Sequence, residues 1–333
     1  MIEEKKEALV PLVSVCVITY NHEKYIRQCL DGILMQKVNF PYEVLIHDDA
    51  SPDATADIIR EYEAKYPDII KPIYQTENQY SKVGMGAISR FNDERARGKY
   101  IAQCEGDDYW TDPGKLQMQV DFLETHPEYV GTAHNVSCVN EFGEQIQVQF
   151  FSEYLEHVYT LDEYKNGRLP GQLASFVFRK LFSNMEKDLK DKYYNCRANG
   201  DQKLCLLCAL NGPIYCFGKA MSIYRRVTCE GTSWNARICG KNMAYDSYKQ
   251  SKELSMFAKN LYGIELGWDD RIYSPILVAL KKYLFHPNKN NRDILLLIWK
   301  EMDNKSKCII FLLKNLPRYI LLLVQTNSRK KRL

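Results

Sequence analysis

Two adjacent carboxylates at the end of a short apolar strand constrain this chain more than any other feature. Gly98-Lys99-Tyr100-Ile101-Ala102-Gln103 reads as a buried strand that runs directly into Cys104-Glu105-Gly106-Asp107-Asp108-Tyr109-Trp110. Carboxylates at the carboxyl end of a strand in an open sheet lie in the crevice where such folds bind ligands. The pair suits a hard cation, and because two Asp side chains fill only part of an octahedral shell, the ion would keep positions for water or phosphate oxygens. The plainer reading is a turn or helix-capping acid. Asp112-Pro113 already supplies a cap for the helix that follows.

The preceding segment explains how such a strand end becomes a crevice. Val13-Ser14-Val15-Cys16-Val17-Ile18 is a β-branched apolar run, as expected of a strand buried on both faces, and it ends at Thr19-Tyr20-Asn21-His22. Ile26, Cys29, Leu30, Ile33 and Leu34 then repeat at helical spacing. Tyr42 to His47 forms a second strand that ends in Asp48-Asp49-Ala50-Ser51-Pro52-Asp53, a second acidic strand end with turn chemistry. Ile58, Ile59 and Tyr62 mark another helix, Ile69 to Tyr74 a third strand, and Val83 to Arg97 a third helix closed by Gly98. Strands alternating with helices predict a doubly wound α/β sheet whose strand ends gather Thr19, Tyr20, Asn21, Asp49, Asp107 and Asp108.

Neither glycine-rich phosphate signature is present: no G-x-G-x-x-G follows the first strand and no G-x-x-x-x-G-K-[ST] occurs. A phosphate ligand would then need the metal. Tyr20 can stack on a base and Asn21 hydrogen-bond it, and Asp49 can accept from a ring N–H such as that of uracil; Tyr20 as a capping aromatic at the core rim is the alternative.

The motifs Val13-Ser14-Val15 with Thr19-Tyr20-Asn21, Asp48-Asp49-Ala50-Ser51, Ala96-Arg97-Gly98-Lys99-Tyr100-Ile101 and Glu105-Gly106-Asp107-Asp108 together resemble glycosyltransferase family 2, over residues 11 to 235. The resemblance implies a GT-A fold: a Rossmann-like, mostly parallel nucleotide-binding sheet with helices on both faces. It also implies a UDP-sugar donor, Mg²⁺ or Mn²⁺, and inversion at the anomeric centre. Carried over, Tyr20 stacks on uracil, Asn21 and Thr19 lie beside it, and Asp49 binds its N3–H. Asp107 lies by ribose and phosphates, and Asp108, with Asp107, ligates the metal. Many members have Asp-Ala-Asp-Asp where this chain has Glu105-Gly106-Asp107-Asp108.

In the second half, Pro113 to His126 reads as a helix with Leu116, Val120 and Leu123 inward, and Val130 to Val136 as a strand. Ile146, Val148 and Phe150 alternate, and Gly171 to Phe178 suggests a further strand in the part that receives the acceptor. Asn199-Gly200-Asp201-Gln202 opens a helix. An Asp there is by default a cap, and in the family an Asp at the head of this helix is the general base, which assigns Asp201 to catalysis. Cys205-x-x-Cys208 lies in an apolar helical run without a matching pair, so it is read as packing and not as zinc. Tyr224-Arg225-Arg226 followed by Gly231-Thr232-Ser233-Trp234 resembles the family's segment closing over diphosphate and sugar, which nominates Arg226 and Trp234; a basic surface loop is the alternative. Two rivals share parts of this pattern. A non-catalytic nucleotide-sugar-binding module would keep the crevice without the base. A nucleotidyltransferase would need a glycine-rich basic first loop, which Thr19-Tyr20-Asn21-His22 is not.

From about Lys241 the chain reads as helical, giving a division into a GT-A domain over 1–235 (nucleotide-sugar half 11–125, acceptor half 126–235) and a helical region over 236–333. Its tail from 305 to 333 mixes apolar runs with Lys305, Lys307 and Arg329-Lys330-Lys331-Arg332. Lys314, Pro317 and Arg318 interrupt the apolar residues, so the tail is expected to lie on a membrane surface without crossing it. The net charge of +3 gives no reason to expect nucleic acid. Eleven cysteines scattered through apolar runs, with a charged Met1 to Ala8 lacking any apolar stretch, fit a cytoplasmic enzyme at the inner face of the membrane. The expected acceptor is a saccharide hydroxyl, carried on a lipid in surface polysaccharide synthesis.

Overall fold

Val13, Val15 and Val17 line one face of the first strand and Ser14 and Cys16 the other, and burial of both sets leaves the strand no solvent face there. Val13, Val15 and Val17 are fully buried and Cys16 nearly so, which puts β1 (Val13–Thr19) in the interior of a sheet. The computed structural model describes residues 10–83, 88–146, 156–196, 198–227 and 241–315, and the chain divides into two compact units, Met1–Arg237 and Ile238–Leu333.

In the first unit β1 pairs in parallel with β2 (Tyr42–Asp48) on one side. β3 (Ile70–Tyr74) continues the sheet beyond β2, and β4 (Tyr100–Glu105) lies parallel on the other side of β1. The connecting helices α1 (Ile26–Leu34) and α2 (Thr55–Lys65) bury Ile26, Cys29, Leu30 and Ile33, and Ile58 and Ile59. The register Thr19↔Asp48 and Ile18↔Glu105 brings the carboxyl ends of β1, β2 and β4 level with one another.

Beyond β4 the sheet turns mixed. The full order is β3-β2-β1-β4-β8-β6-β9-β5, with β5 (Tyr109–Trp110), β6 (Gly131–Asn140), β7 (His157–Tyr159), β8 (Val177–Arg179) and β9 (Ile214–Arg226), and β7 pairs with β9. β8 is antiparallel to both β4 and β6, whereas β6 and β9 are parallel. The long ladders β1–β2, β1–β4, β2–β3 and β6–β9 are parallel and the antiparallel ones are only two or three residues long, so the sheet is mostly parallel, as expected.

Three sequence expectations are corrected. Of the helix expected from Val83 to Arg97, residues 84–87 lie outside the described residues, and the rest holds only the end of α3 (Gln79–Val83) and α4 (Arg90–Asp93), with 94–97 not helical. There Asn92 turns inward to donate to the Val17 carbonyl at 2.9 Å, and Arg95 donates to the carbonyls of Lys71 and Ile46. Gly171 to Phe178 is mostly a 3₁₀ turn (Leu173–Ser175), whose Gln172 caps Ala174, before β8. Ile146 lies in no strand, and Val148 and Phe150 fall outside the described residues.

α5 (Lys115–Thr125) packs Leu116, Val120 and Leu123 inward, as the 3.6-residue period requires. Asp112 accepts from the Gly114 N–H at 2.8 Å and pairs with Lys219. The first residue of α5, Lys115, is fully buried with its Nζ 4.0 Å from the Trp110 ring centroid and no hydrogen-bond partner. Burial lowers its pKa from the ordinary 10.5 to about 7. The unfolded chain therefore holds a proton that the folded chain lacks between those values, so stability rises with pH across that window. Lys115→Met is expected to raise the thermal midpoint at pH 7, by about 2–4 °C per kcal/mol regained, and to flatten the rise between pH 7 and 10. Melting curves across that range check this; a lower midpoint at pH 7 would contradict it.

After α6 (Leu161–Lys165) and α7 (Lys187–Asn195), α8 (Gly200–Asn211) buries Leu204, Cys205, Leu207 and Cys208 completely or nearly so. The two thiols of the Cys-x-x-Cys spacing are thus core residues, pushed up in pKa by burial.

The second unit holds α9 (Ala244–Tyr262), α10 (Asp269–Phe285) and α11 (Lys289–Glu301), followed by α12 over residues 305–315. Its core is Tyr248, Tyr273, Ile276, Ala279, Ile298, Met302 and Cys308. Among the described residues no helix is long and apolar enough to cross a membrane.

Candidate functional site at the carboxyl ends of the parallel strands

The loops after β1 and β2 are held against each other by their own short polar residues. The Asn21 N–H donates to Ser51 Oγ at 2.9 Å, the His22 N–H to Thr55 Oγ1 at 2.8 Å, and the Asp49 N–H to the Thr19 carbonyl at 3.0 Å. Asn21 and Ala50 both adopt φ of +60°. Asn tolerates this left-handed region, while Ala there stores strain of the kind found at ligand sites.

Thr19 is buried, and its hydroxyl lies 3.1 Å from His22 Nδ1. Thr19 thereby shapes the strand end beside His22. Tyr20 and Asn21 are half-buried at the same edge. Asp49 is 2% exposed and accepts from the backbone N–H groups of Gln79 (2.7 Å) and Tyr80 (3.0 Å), with His47 Nε2 at 3.4 Å behind it. These partners hold its carboxyl below the ordinary range against the opposing effect of burial. Asp49 thereby pins the 78–80 turn beside Thr19.

The acidic loop after β4 is fitted to the β1 loop through Gly106. A Cβ at that position would lie 2.6 Å from Thr19 Oγ1 and 2.8 Å from His22 Nδ1, so only glycine allows the approach. Three carboxylates follow, in three different environments. Glu105 opens onto the cleft; enclosure by the cleft walls, and then the carboxylates of Asp107 and Asp201, push its pKa up to about 8. Asp107 is partly exposed, with His22 Nε2 3.9 Å from its Oδ2. Asp108 is 1% exposed, and each of its oxygens is engaged: Oδ2 accepts from Gln172 Nε2 at 2.6 Å and Oδ1 from the Arg225 N–H at 2.8 Å. Burial, then Asp107 and Glu105, press its pKa upward, while the Arg225 N–H opposes them.

Asp201 sits at the first turn of α8, with Oδ1 accepting from the Gln202 N–H at 2.7 Å, and burial raises its pKa. Its charge also raises the pKa of Glu105. Arg226 ends β9 with an exposed side chain, and Trp234 lies outside the described residues.

The residue that sequence reasoning missed is Arg225. It is buried, with Nε donating to the Asp107 carbonyl (3.1 Å), Nη2 to Gln28 Oε1 (2.8 Å) and Nη1 to the Asn140 carbonyl (3.3 Å). Its guanidinium lies 4.5 Å from the centroid of Tyr25 and 5.6 Å from that of Tyr109. Five donors in a planar fork let one side chain tie α1, β6 and the acidic loop together. His22 and Gln172 were also missed. His22 carried a signal in its place in the motif after β1 and Arg225 in the Tyr224-Arg225-Arg226 run, whereas Gln172 carried none.

Among the described residues no three His, Cys, Asp or Glu side chains are gathered closely enough to hold a metal by themselves. Asp107 and Glu105 are the acids open to an ion. That donor set suits a hard cation bound chiefly through a ligand's own phosphate oxygens and water.

The family model described as Glycosyl transferase family 2 matches residues 14–188. An uncharacterized protein of Mycobacterium tuberculosis strain H37Rv is 48% identical over 133 residues, 39% of this chain and 37% of that protein. TuaG of Bacillus subtilis, named for teichuronic acid biosynthesis, is 36% identical over 113 residues, 34% of this chain and 42% of that protein. The chain thus spans less than half the length of these relatives. Staphylococcus aureus TarS 1-349 in complex with UDP-GlcNAc superposes with a TM-score of 0.62 at 20% identity, covering 86% of this chain and 79% of that one, which shows a shared fold. The matched segment runs from β1 through the acidic loop into α7, more than half of the chain and the whole of the crevice except Asp201 and β9, and on this ground the chain belongs to glycosyltransferase family 2.

Proposed function

We propose that the chain transfers a sugar from a UDP-sugar to a hydroxyl of a saccharide acceptor, with inversion at the anomeric carbon. The observation that supports this reading is the placing of Glu105 and Asp107 directly after β4, level with the carboxyl ends of β1 and β2, in a chain matched by the family model. Tyr20 and Asn21 would receive the uracil. Each Asp49 oxygen accepts one N–H and retains a second lone pair, so the base N3–H would share that carboxylate with Gln79 and Tyr80.

Mg²⁺ or Mn²⁺ would be held by Asp107, with Glu105 beside it, and would supply charge neutralisation for the diphosphate leaving group. Of the two expected ligands, Asp107 and Asp108, the partly exposed Asp107 would be the more open to the ion, since Asp108 already accepts from Gln172 and Arg225. Asp201 takes the proton of the acceptor hydroxyl as its oxygen bonds to the anomeric carbon and the bond to the diphosphate breaks. One carboxylate on the acceptor side suffices for a single displacement, and single displacement inverts. Arg226 would face the diphosphate, with Trp234 following it in sequence.

The name of TuaG and the UDP-GlcNAc of TarS support a nucleotide-sugar donor and a role in cell-surface polysaccharide synthesis. An acceptor on a lipid carrier would place the enzyme on the inner face of the membrane. Incubation with a panel of UDP-sugars and Mn²⁺ tests the reading through slow hydrolysis: release of UDP from one member of the panel is expected. Tight binding of a UDP-sugar with no turnover on any saccharide acceptor would instead establish a binding module.

A further inference from the structure

A helix that packs on a core is expected to turn its apolar side inward and its polar side to water. α12 does this only by half. Cys308 is fully buried, and Phe311 and Leu312 pack against the core around Tyr273 and Ile298. Yet Ile309, Ile310 and Leu313 are 46%, 66% and 72% exposed. Positions 309, 310 and 313 fall within one turn of each other on the outer side, so they form a continuous aliphatic stripe in water. On α11, Leu296 and Leu297 are also exposed.

The charge carried by the helix itself is one-sided, although Lys307 pairs with Asp269 at 3.2 Å. Residues 305–315 contain Lys305, Lys307 and Lys314 and no acid; residues 305–333 contain eight Lys and Arg and no Asp or Glu. The chain's net charge of +3 is therefore +8 in this segment against −5 elsewhere. A second copy docked on the same stripe would bring these lysines toward like charges. The stripe offers no aromatic ring on which a nucleic-acid base could stack. Exposed aliphatic side chains between lysines match the boundary of an anionic bilayer, where apolar burial and headgroup attraction act together. The eleven described helical residues extend about 17 Å, short of a span of about 30 Å.

We propose that α12 is a membrane-docking helix, its Ile309, Ile310 and Leu313 entering the headgroup boundary of an anionic bilayer, with Lys305 and Lys314 left to face the acidic headgroups. This surface lies outside the residues matched by the family model and does not depend on the reaction proposed for the cleft.

The test is co-sedimentation of the full chain, and of Ile310→Glu combined with Leu313→Glu, with phosphatidylcholine vesicles that do or do not contain phosphatidylserine. The full chain is expected to bind only the anionic vesicles, less at high salt, and the double variant to bind them about tenfold more weakly. Both replaced side chains are exposed, so the melting temperature should hold. Equal binding by the two proteins overturns the proposal. A drop of several degrees in the variant's melting temperature also overturns it, because the stripe would then be covered within the chain. Loss of a dimer without loss of vesicle binding would assign the stripe to a second copy and overturn it as well.

Discussion

Asp108→Asn is expected to destabilise the first unit by about 2–4 kcal/mol, and not merely to weaken a metal site. Both oxygens of Asp108 accept hydrogen bonds in a nearly solvent-free position, one from the Gln172 side chain and one from the Arg225 backbone. An Asn amide offers one acceptor and one donor, so its NH₂ must face another donor. Gln172 cannot rotate to relieve this without releasing the Ala174 N–H that its Oε1 accepts at 2.7 Å. Adding Gln172→Glu restores one matched pair and should return about half of the loss. Denaturant unfolding of the single and double variants measures this. A single variant as stable as the parent would show that Asp108 is free to serve as a ligand after all.

Asp201→Asn is expected to lower kcat by about 10² to 10⁴ while leaving donor binding intact. Asp201 stands at the opening turn of α8, and its role as base rests on that place, on the effect of its charge at Glu105 and on a carboxyl raised by burial toward a more basic value. The substitution keeps shape and one acceptor, so the Gln202 N–H retains its partner and the fold should survive. Turnover with the native acceptor, alongside UDP binding, separates the two effects. Parent-level kcat in the variant would remove Asp201 from the reaction.

What could be read from the sequence was governed by how local the signal is. β1, β2 and β4 announce themselves through runs such as Val13 to Ile18, because strands buried on both faces admit little else. The acidic motif could be placed because it directly follows such a run. Which acid does what could not be read: Glu105, Asp107 and Asp108 differ only in what the distant residues His22, Gln172, Arg225 and Asp201 bring to them. The choice of Arg226 over Arg225 failed to anticipate the buried hub for a related reason. Neighbouring strand residues point to opposite faces, and the face is set by pairing, not by composition. Nothing local in the 83–97 stretch signals that Asn92 and Arg95 hydrogen-bond to carbonyls of the parallel strands.

A nucleoside diphosphate and a divalent cation are expected to bind together at the end of β4. Calorimetric titration of UDP into the protein, with and without Mn²⁺, tests it most directly, with Asp107→Asn as the partner measurement. The account predicts binding that Mn²⁺ strengthens by at least about tenfold, and loss of that gain in a folded Asp107→Asn variant. UDP binding of equal strength with and without the metal, or a full Mn²⁺ gain in Asp107→Asn, would contradict it.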